Sequence, residues 1–124
     1  MTPTGRAHKV SVTRAYDPPA AGGYRVLVDR LWPRGVTKVA AAIDEWAKDV
    51  APSTELRRWY AHEPARFEEF ALRYRAELGR APGSDALAHL RTLLREHVVV
   101  LVTATKDLEH SGASVLEGVL SSRP

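Results

Sequence analysis

Apolar residues fall along the chain in two rhythms, short unbroken runs and helical stripes. Val26-Leu27-Val28 and Val98-Val99-Val100-Leu101-Val102 are the unbroken runs. An apolar run this short and rich in β-branched residues predicts a strand covered on both faces, where no polar alternation is needed. Residues 10–13 alternate more weakly between polar neighbours and predict a short first strand. The helical stripes come later. Phe67, Phe70, Ala71, Tyr74 and Leu78 recur at three- and four-residue spacing, with Arg66, Glu69, Arg73 and Glu77 on the other faces. Leu87, Leu90, Leu93 and Leu94 form a second stripe, and Val115, Leu116, Val119 and Leu120 a third.

Punctuation residues set the boundaries. Pro18, Pro19, Gly22 and Gly23 make a loop before the second strand, and Pro33-Arg34-Gly35 makes a turn after it. Thr37 is placed to cap a short helix over residues 38–42, and Ser53 or Thr54 one over residues 55–60. Pro64 suits a first helical position, where its missing N–H costs nothing, and Ser84 or Asp85 suits a cap for the next helix. Residues 44–50 stay ambiguous between strand and helix. The connection between the first two strands is too short for a helical crossover. Those strands are either antiparallel, or parallel with an irregular crossover.

Together these elements predict a single α/β domain over residues 1–124, with a small, mostly parallel sheet flanked by helices in three layers, and with residues 1–7 disordered. The length suffices for one core without covalent staples. Cysteine is absent from the 124 residues, which excludes disulfides, thiolate nucleophiles and cysteine-ligated metals, and fits a reducing cytoplasm. Residues 1–9 lack the apolar core of a signal peptide, and no stretch approaches the roughly 20 apolar residues of a membrane span. A cytoplasmic location is therefore expected, with no membrane partner. The net charge of +3 permits nucleic acid, anionic metabolites or acidic proteins and separates none of them.

Several motifs fail on spacing. His62-Glu63-Pro64-Ala65-Arg66 lacks the second histidine of a zinc protease, and His8, His62, His89, His97 and His110 make no close ligand pair, so no metal site is assigned. No serine sits in a Gly-x-Ser-x-Gly elbow, and Gly22-Gly23 precedes a strand instead of following one, unlike a phosphate-binding or dinucleotide loop. No cofactor is indicated.

Four stretches carry a resemblance. They are the segment Tyr24-Arg25-Val26-Leu27-Val28-Asp29-Arg30-Leu31-Trp32-Pro33-Arg34-Gly35, the segment from Asp44-Glu45-Trp46-Ala47-Lys48 through Leu56-Arg57-Arg58-Trp59, the stripe from Phe67 to Leu78, and Lys106-Asp107 with His110. On these the chain resembles the YeaO-like branch of the domain-of-unknown-function 488 family over nearly its whole length. The resemblance implies a compact, Rossmann-like α/β domain and brings no activity with it. Glu63 and Ser111 stand where that pattern has Asp and Asn.

The dense charge after residue 28 marks a site, because ligands of open α/β sheets bind outside the carboxyl ends of the strands. With parallel strands, that edge gathers Arg14 and Tyr16, then Asp29, Arg30, Trp32 and Arg34, then Thr105, Lys106, Asp107 and His110. Arginines, helix N-terminal amides and one aromatic platform suit a phosphate or carboxylate. Arg30, Trp32, Arg34, Lys106, Asp107, Arg14 and Tyr16 are the ligand-binding candidates. Asp29 and His110 are the candidates for acid–base chemistry, against the blander expectation that Asp29 pairs with Arg30 or Arg34 and that His110 caps a helix. Whether the site is catalytic stays open. Trp46 and Trp59 are expected to fill core beneath the long connection.

Three readings remain: a small-molecule-binding domain, or an enzyme, for an anionic ligand; a weak nucleic-acid-binding protein using its basic surface and aromatics; and a protein-interaction module whose charges are structural. The first is preferred. It predicts that any RNA or DNA complex is weak, non-specific and steeply salt-dependent, since each phosphate contact releases a counterion. Gel-shift titrations at two ionic strengths measure this, and a tight complex persisting at physiological salt would overturn the preference.

Overall fold

A computed structural model of the chain describes residues 9–20 and 22–121. The expected disorder of residues 1–7 lies outside the described residues. In chain order the elements are β1 (Val10–Arg14), β2 (Tyr24–Leu27), β3 (Glu45–Trp46), α1 (Thr54–Tyr60), α2 (Phe67–Leu78), α3 (Gly83–Leu93), β4 (Val99–Thr103) and α4 (Gly112–Ser121), with short 3-10 turns at Lys48–Val50, Pro64–Arg66 and Leu108–His110.

The strands form one sheet in the order β1-β4-β2-β3, and every pairing is parallel. This resolves the first connection: β1 and β2 run the same way, with β4 between them and no helix among the described residues of the crossover. Val26 lies opposite Leu101 and Leu27 opposite Val102, so the two apolar runs are neighbours at the centre of the sheet. The ambiguous segment becomes the two-residue edge strand β3 and a 3-10 turn after it.

Side chains alternate between the faces of this sheet. Val26, Val28, Val99 and Leu101 face all four helices, meeting Leu56, Phe70, Tyr74, Leu90, Ala113 and Leu116 in the main core. Within it the Phe70 ring stacks on Tyr60, centroids 4.2 Å apart, and on Tyr74. Phe67 packs at the margin and is half-buried. The opposite face carries Leu27 and Val102, covered by Ala41 and Ile43 with Trp32 and Val36 beside them. The third layer is therefore the crossover from β2 to β3 and not a helix. Residues 38–42 make a single turn, capped by Thr37 as expected, but it closes at Ala42 in the left-handed region, φ +53°, before a second turn forms. Arg25 reaches under this layer, its Nε donating to the Ala41 carbonyl at 3.0 Å.

Helix ends follow local chemistry in some places and packing in others. Ser53 caps α1 by accepting the Leu56 amide, and Glu77 of α2 takes both the Ser53 amide and its hydroxyl, which ties the start of α1 to the end of α2. Pro64 opens a 3-10 turn that leads into α2. Neither Ser84 nor Asp85 caps α3, which starts one residue earlier at Gly83. A Cβ at Gly83 would sit 2.9 Å from the Glu77 carbonyl oxygen, so close approach of α3 to α2 sets that start. No helix among the described residues is long and apolar enough to cross a membrane.

Phe70 is 2% exposed and central to the helix layer. Phe70→Ala should cost roughly 3–5 kcal/mol, read as a shift of the denaturation midpoint. A variant as stable as the parent would show that the ring is not core.

Candidate functional site

Because all strands are parallel, the loops after β1, β2 and β4 open on one edge, and a pocket of about 310 Å³ lies there. Asp29 is part of its lining. The β2–β4 ladder continues one bond past β2, Val28 N–H to Val102 carbonyl at 3.0 Å, and Asp29 comes next. Its Oδ1 accepts the Thr103 hydroxyl and its Oδ2 the Ala104 amide, both at 2.7 Å. The expected pairing with Arg30 or Arg34 is not what holds it. Burial pushes the Asp29 carboxyl above its ordinary pKa, against the opposing pull of those two bonds and of the charges on Arg57 and His62.

Arg30 is committed to the scaffold. Its guanidinium donates to the carbonyls of Pro52 and Ala51 at 3.1 and 3.2 Å, which fixes the segment leading into α1 as one wall. Trp32 donates its indole N–H to the Val36 carbonyl at 2.6 Å and packs edge-on against Trp46, whose own indole N–H is held by the Asp29 carbonyl. Arg34 is presented on a turn that Gly35 completes at φ +75°, and the Tyr16 hydroxyl pins its carbonyl at 3.0 Å. The Arg34 guanidinium itself has no partner among the described residues.

Asp29, Arg30, Trp32, Arg34, Tyr16 and His110 all line the pocket. Arg14, Lys106 and Asp107 do not. Lys106 follows β4 closely, but α4 begins only at Gly112, and the 3-10 turn Leu108–His110 lies between them. The Arg14 Nε holds the Lys106 carbonyl, its guanidinium faces Asp17, and the Lys106 and Asp107 side chains are exposed. Asp107 instead bonds His110 Nδ1 at 2.7 Å, and this bond holds its carboxyl below the usual range. His110 is not the cap of α4. Ser111 has that place, its Oγ accepting the Ser114 amide.

Other lining residues come from parts of the sequence that gave no sign of them. Arg57 and Tyr60 sit on the pocket side of α1, and the Tyr60 hydroxyl donates to the His110 carbonyl at 2.6 Å, linking α1 to the loop before α4. Their spacing of three residues was the available signal, since it places both on one helix face. His62 also lines the pocket, and it and Ala61 lie in the left-handed region at φ +56° and +49°. No glycine or asparagine marks that turn, so the pattern gave no warning of it. Gly112 and Ala113 contribute the head of α4, where the first amides of a helix have no intrahelical acceptor.

The lining thus holds one carboxylate, Asp29, against the cations Arg30, Arg34 and Arg57, two histidines and the positive end of a helix. Arg57, like Arg34, has no hydrogen-bond or ion-pair partner for its guanidinium among the described residues. The Ser111 hydroxyl is spent on the Leu108 carbonyl at 2.7 Å. No three His, Asp or Glu side chains converge to hold a metal among the described residues.

The raised Asp29 pKa has a sign. The folded state binds that proton more tightly than the unfolded chain, so ionised Asp29 weakens the fold at neutral pH, and the loss is recovered as pH falls through the raised value. Relative to Asp29→Asn, the parent should therefore gain melting temperature between about pH 7 and about pH 4. A difference that stays flat across this range would show that burial does not control the carboxyl.

Comparison with known proteins places this architecture. The family described as the inactive DUF488-N3 subclade matches residues 9–123. The uncharacterized protein Rv3073c of Mycobacterium tuberculosis is 50% identical over 119 residues, 95% of this chain and 98% of the relative. The uncharacterized protein YeaO of Escherichia coli is 38% identical over 114 residues, 91% of this chain and 97% of the relative. No solved structure matches. The chain belongs to the YeaO-like proteins of the DUF488 family, within the subclade described as inactive.

Proposed function

We propose that this protein binds a small anionic molecule, through a phosphate or carboxylate group, in the pocket at the carboxyl ends of its strands. The observation that carries this reading is the convergence of Arg34, Arg57, His62 and the head of α4 on one cavity whose lining, among the described residues, holds a single carboxylate. The guanidinium groups of Arg34 and Arg57 make no hydrogen bond or ion pair among the described residues, and such groups grip an anion's oxygens in pairs. Amides at the head of a helix add directed donors and the dipole.

Binding is favoured over catalysis. The Asp29 oxygens are each engaged by the protein, and the Ser111 hydroxyl is tied to a carbonyl. The subclade's description as inactive agrees with a site that holds a ligand without transforming it. The nucleic-acid reading draws less support, because the tryptophans that would stack bases are engaged elsewhere. Arg73 lies 4.3 Å from the Trp59 ring and Lys48 lies 4.7 Å from that of Trp46.

Inorganic phosphate titrated into labelled protein should move the amide resonances of Gly112 and Ala113 saturably. Arg57→Ala should weaken that binding about tenfold, the worth of one charge-assisted contact. The melting temperature without phosphate should change little, since Arg57 is exposed and its guanidinium makes no hydrogen bond or ion pair among the described residues, only a solvent-screened attraction to Asp29. Phosphate shifts that fail to saturate, or that survive in an Arg34→Ala/Arg57→Ala variant, would overturn the reading.

A further inference from the structure

Asp29 sets a condition on what the pocket accepts. An anion drawn in by Arg34 and Arg57 enters a cavity that already contains a carboxylate, and two negative groups in a partly desolvated space repel unless something positive separates them. The carboxylate is also only half satisfied. It has about four acceptor positions. The Thr103 hydroxyl and the Ala104 amide take one on each oxygen, and no other donor to it is found among the described residues. Arg30, beside it in the sequence, is turned away onto the carbonyls of Ala51 and Pro52, and the Arg57 and His62 charges act on the carboxylate without a hydrogen bond or ion pair to it. The neighbouring walls are aromatic: Trp32, Tyr60 and Phe70 line the same cavity. The Phe70 ring stacks on Tyr60 and Tyr74, and the Trp32 N–H and Tyr60 O–H are spent on the carbonyls of Val36 and His110, so these walls add no further donor for the carboxylate.

We infer that the ligand is bipolar, a small molecule whose phosphate or carboxylate meets Arg34, Arg57 and the head of α4 and whose ammonium or other N–H donor meets Asp29. The inference rests on the anion-binding reading and narrows its substrate class to amine-bearing anions. Asp29 then selects against plain anions of the same size. At about 310 Å³ the cavity has the dimensions of a small-metabolite site.

O-phosphoethanolamine and n-propyl phosphate test this directly, since they differ by an ammonium in place of a methyl group. Calorimetric titration of the full chain should give O-phosphoethanolamine at least about tenfold tighter binding, the increment of one charge-assisted hydrogen bond. In Asp29→Asn the preference should vanish, with n-propyl phosphate binding more tightly than to the parent because the repelling charge is gone. The comparison in the parent protein decides the matter even if that variant folds poorly. Equal affinities in the parent, or a preference that persists in Asp29→Asn, would overturn the inference while leaving anion binding intact. Binding of neither phosphate would remove both.

Discussion

The arrangement depends on one carboxylate joining two strand ends. Strands β2 and β4 run side by side and finish at the same level, and Asp29 reaches from the end of one to the Thr103 hydroxyl and Ala104 amide of the other. Parallel neighbours diverge once their ladder stops, because each chain must leave toward its own crossover. The carboxylate delays that divergence by one residue and makes the floor of the cavity. Burial works against this ionised group, and two short hydrogen bonds offset part of the cost. Its position at the floor ties the integrity of the strand ends to the electrostatics of the cavity.

The walls are built by bonds from side chains to backbone carbonyls. Arg30 holds the carbonyls at 51 and 52, Tyr60 that of His110, Tyr16 that of Arg34 and Trp46 that of Asp29. Each donor satisfies a loop carbonyl that no ladder reaches. This explains how loops without regular structure keep a fixed shape, and why several polar and aromatic residues here serve the scaffold. Arg34 and Arg57 differ from Arg30 in this respect. Their guanidinium groups make no hydrogen bond or ion pair among the described residues, although the Arg57 charge acts on Asp29.

The central strands were legible because a doubly covered parallel strand has nothing to show but apolar residues, and Val26-Leu27-Val28 and Val99 through Val102 have that composition. Helix α2 was legible for the complementary reason, a stripe at helical spacing. β3 was not, because two residues on a sheet edge carry no periodicity and are fixed by bonds such as Asp44 N–H to the Arg25 carbonyl. At the site, Asp29, Arg30, Trp32 and Arg34 were readable from their place after a strand. Arg57 and His62 come from a distant segment, and only folding brings them across. Lys106 shows the limit of the positional argument: the 3-10 turn Leu108–His110 lies between it and α4, and proximity to a strand end did not place its side chain in the cavity.

The crossover that covers the second face is held mostly by local backbone bonds: Val36 to Pro33, Ala41 to Thr37, Ala42 to Val39 and Ile43 to Lys38. Val39 is 90% exposed, and beneath the segment the buried Arg25 Nη2 has no acceptor among the described residues. Segments held mostly by local bonds open at lower free energy than the global transition, so its exposed amides should exchange faster than those of the helix-covered face. The same stretch begins with Leu31 to Arg34, which line the cavity. One wall is thus continuous with this crossover, and the other, through Tyr60 and Phe70, with the main core. A ligand that orders the first wall would slow exchange in the crossover on the far side of the sheet, so occupancy would be reported at a distance from where binding occurs.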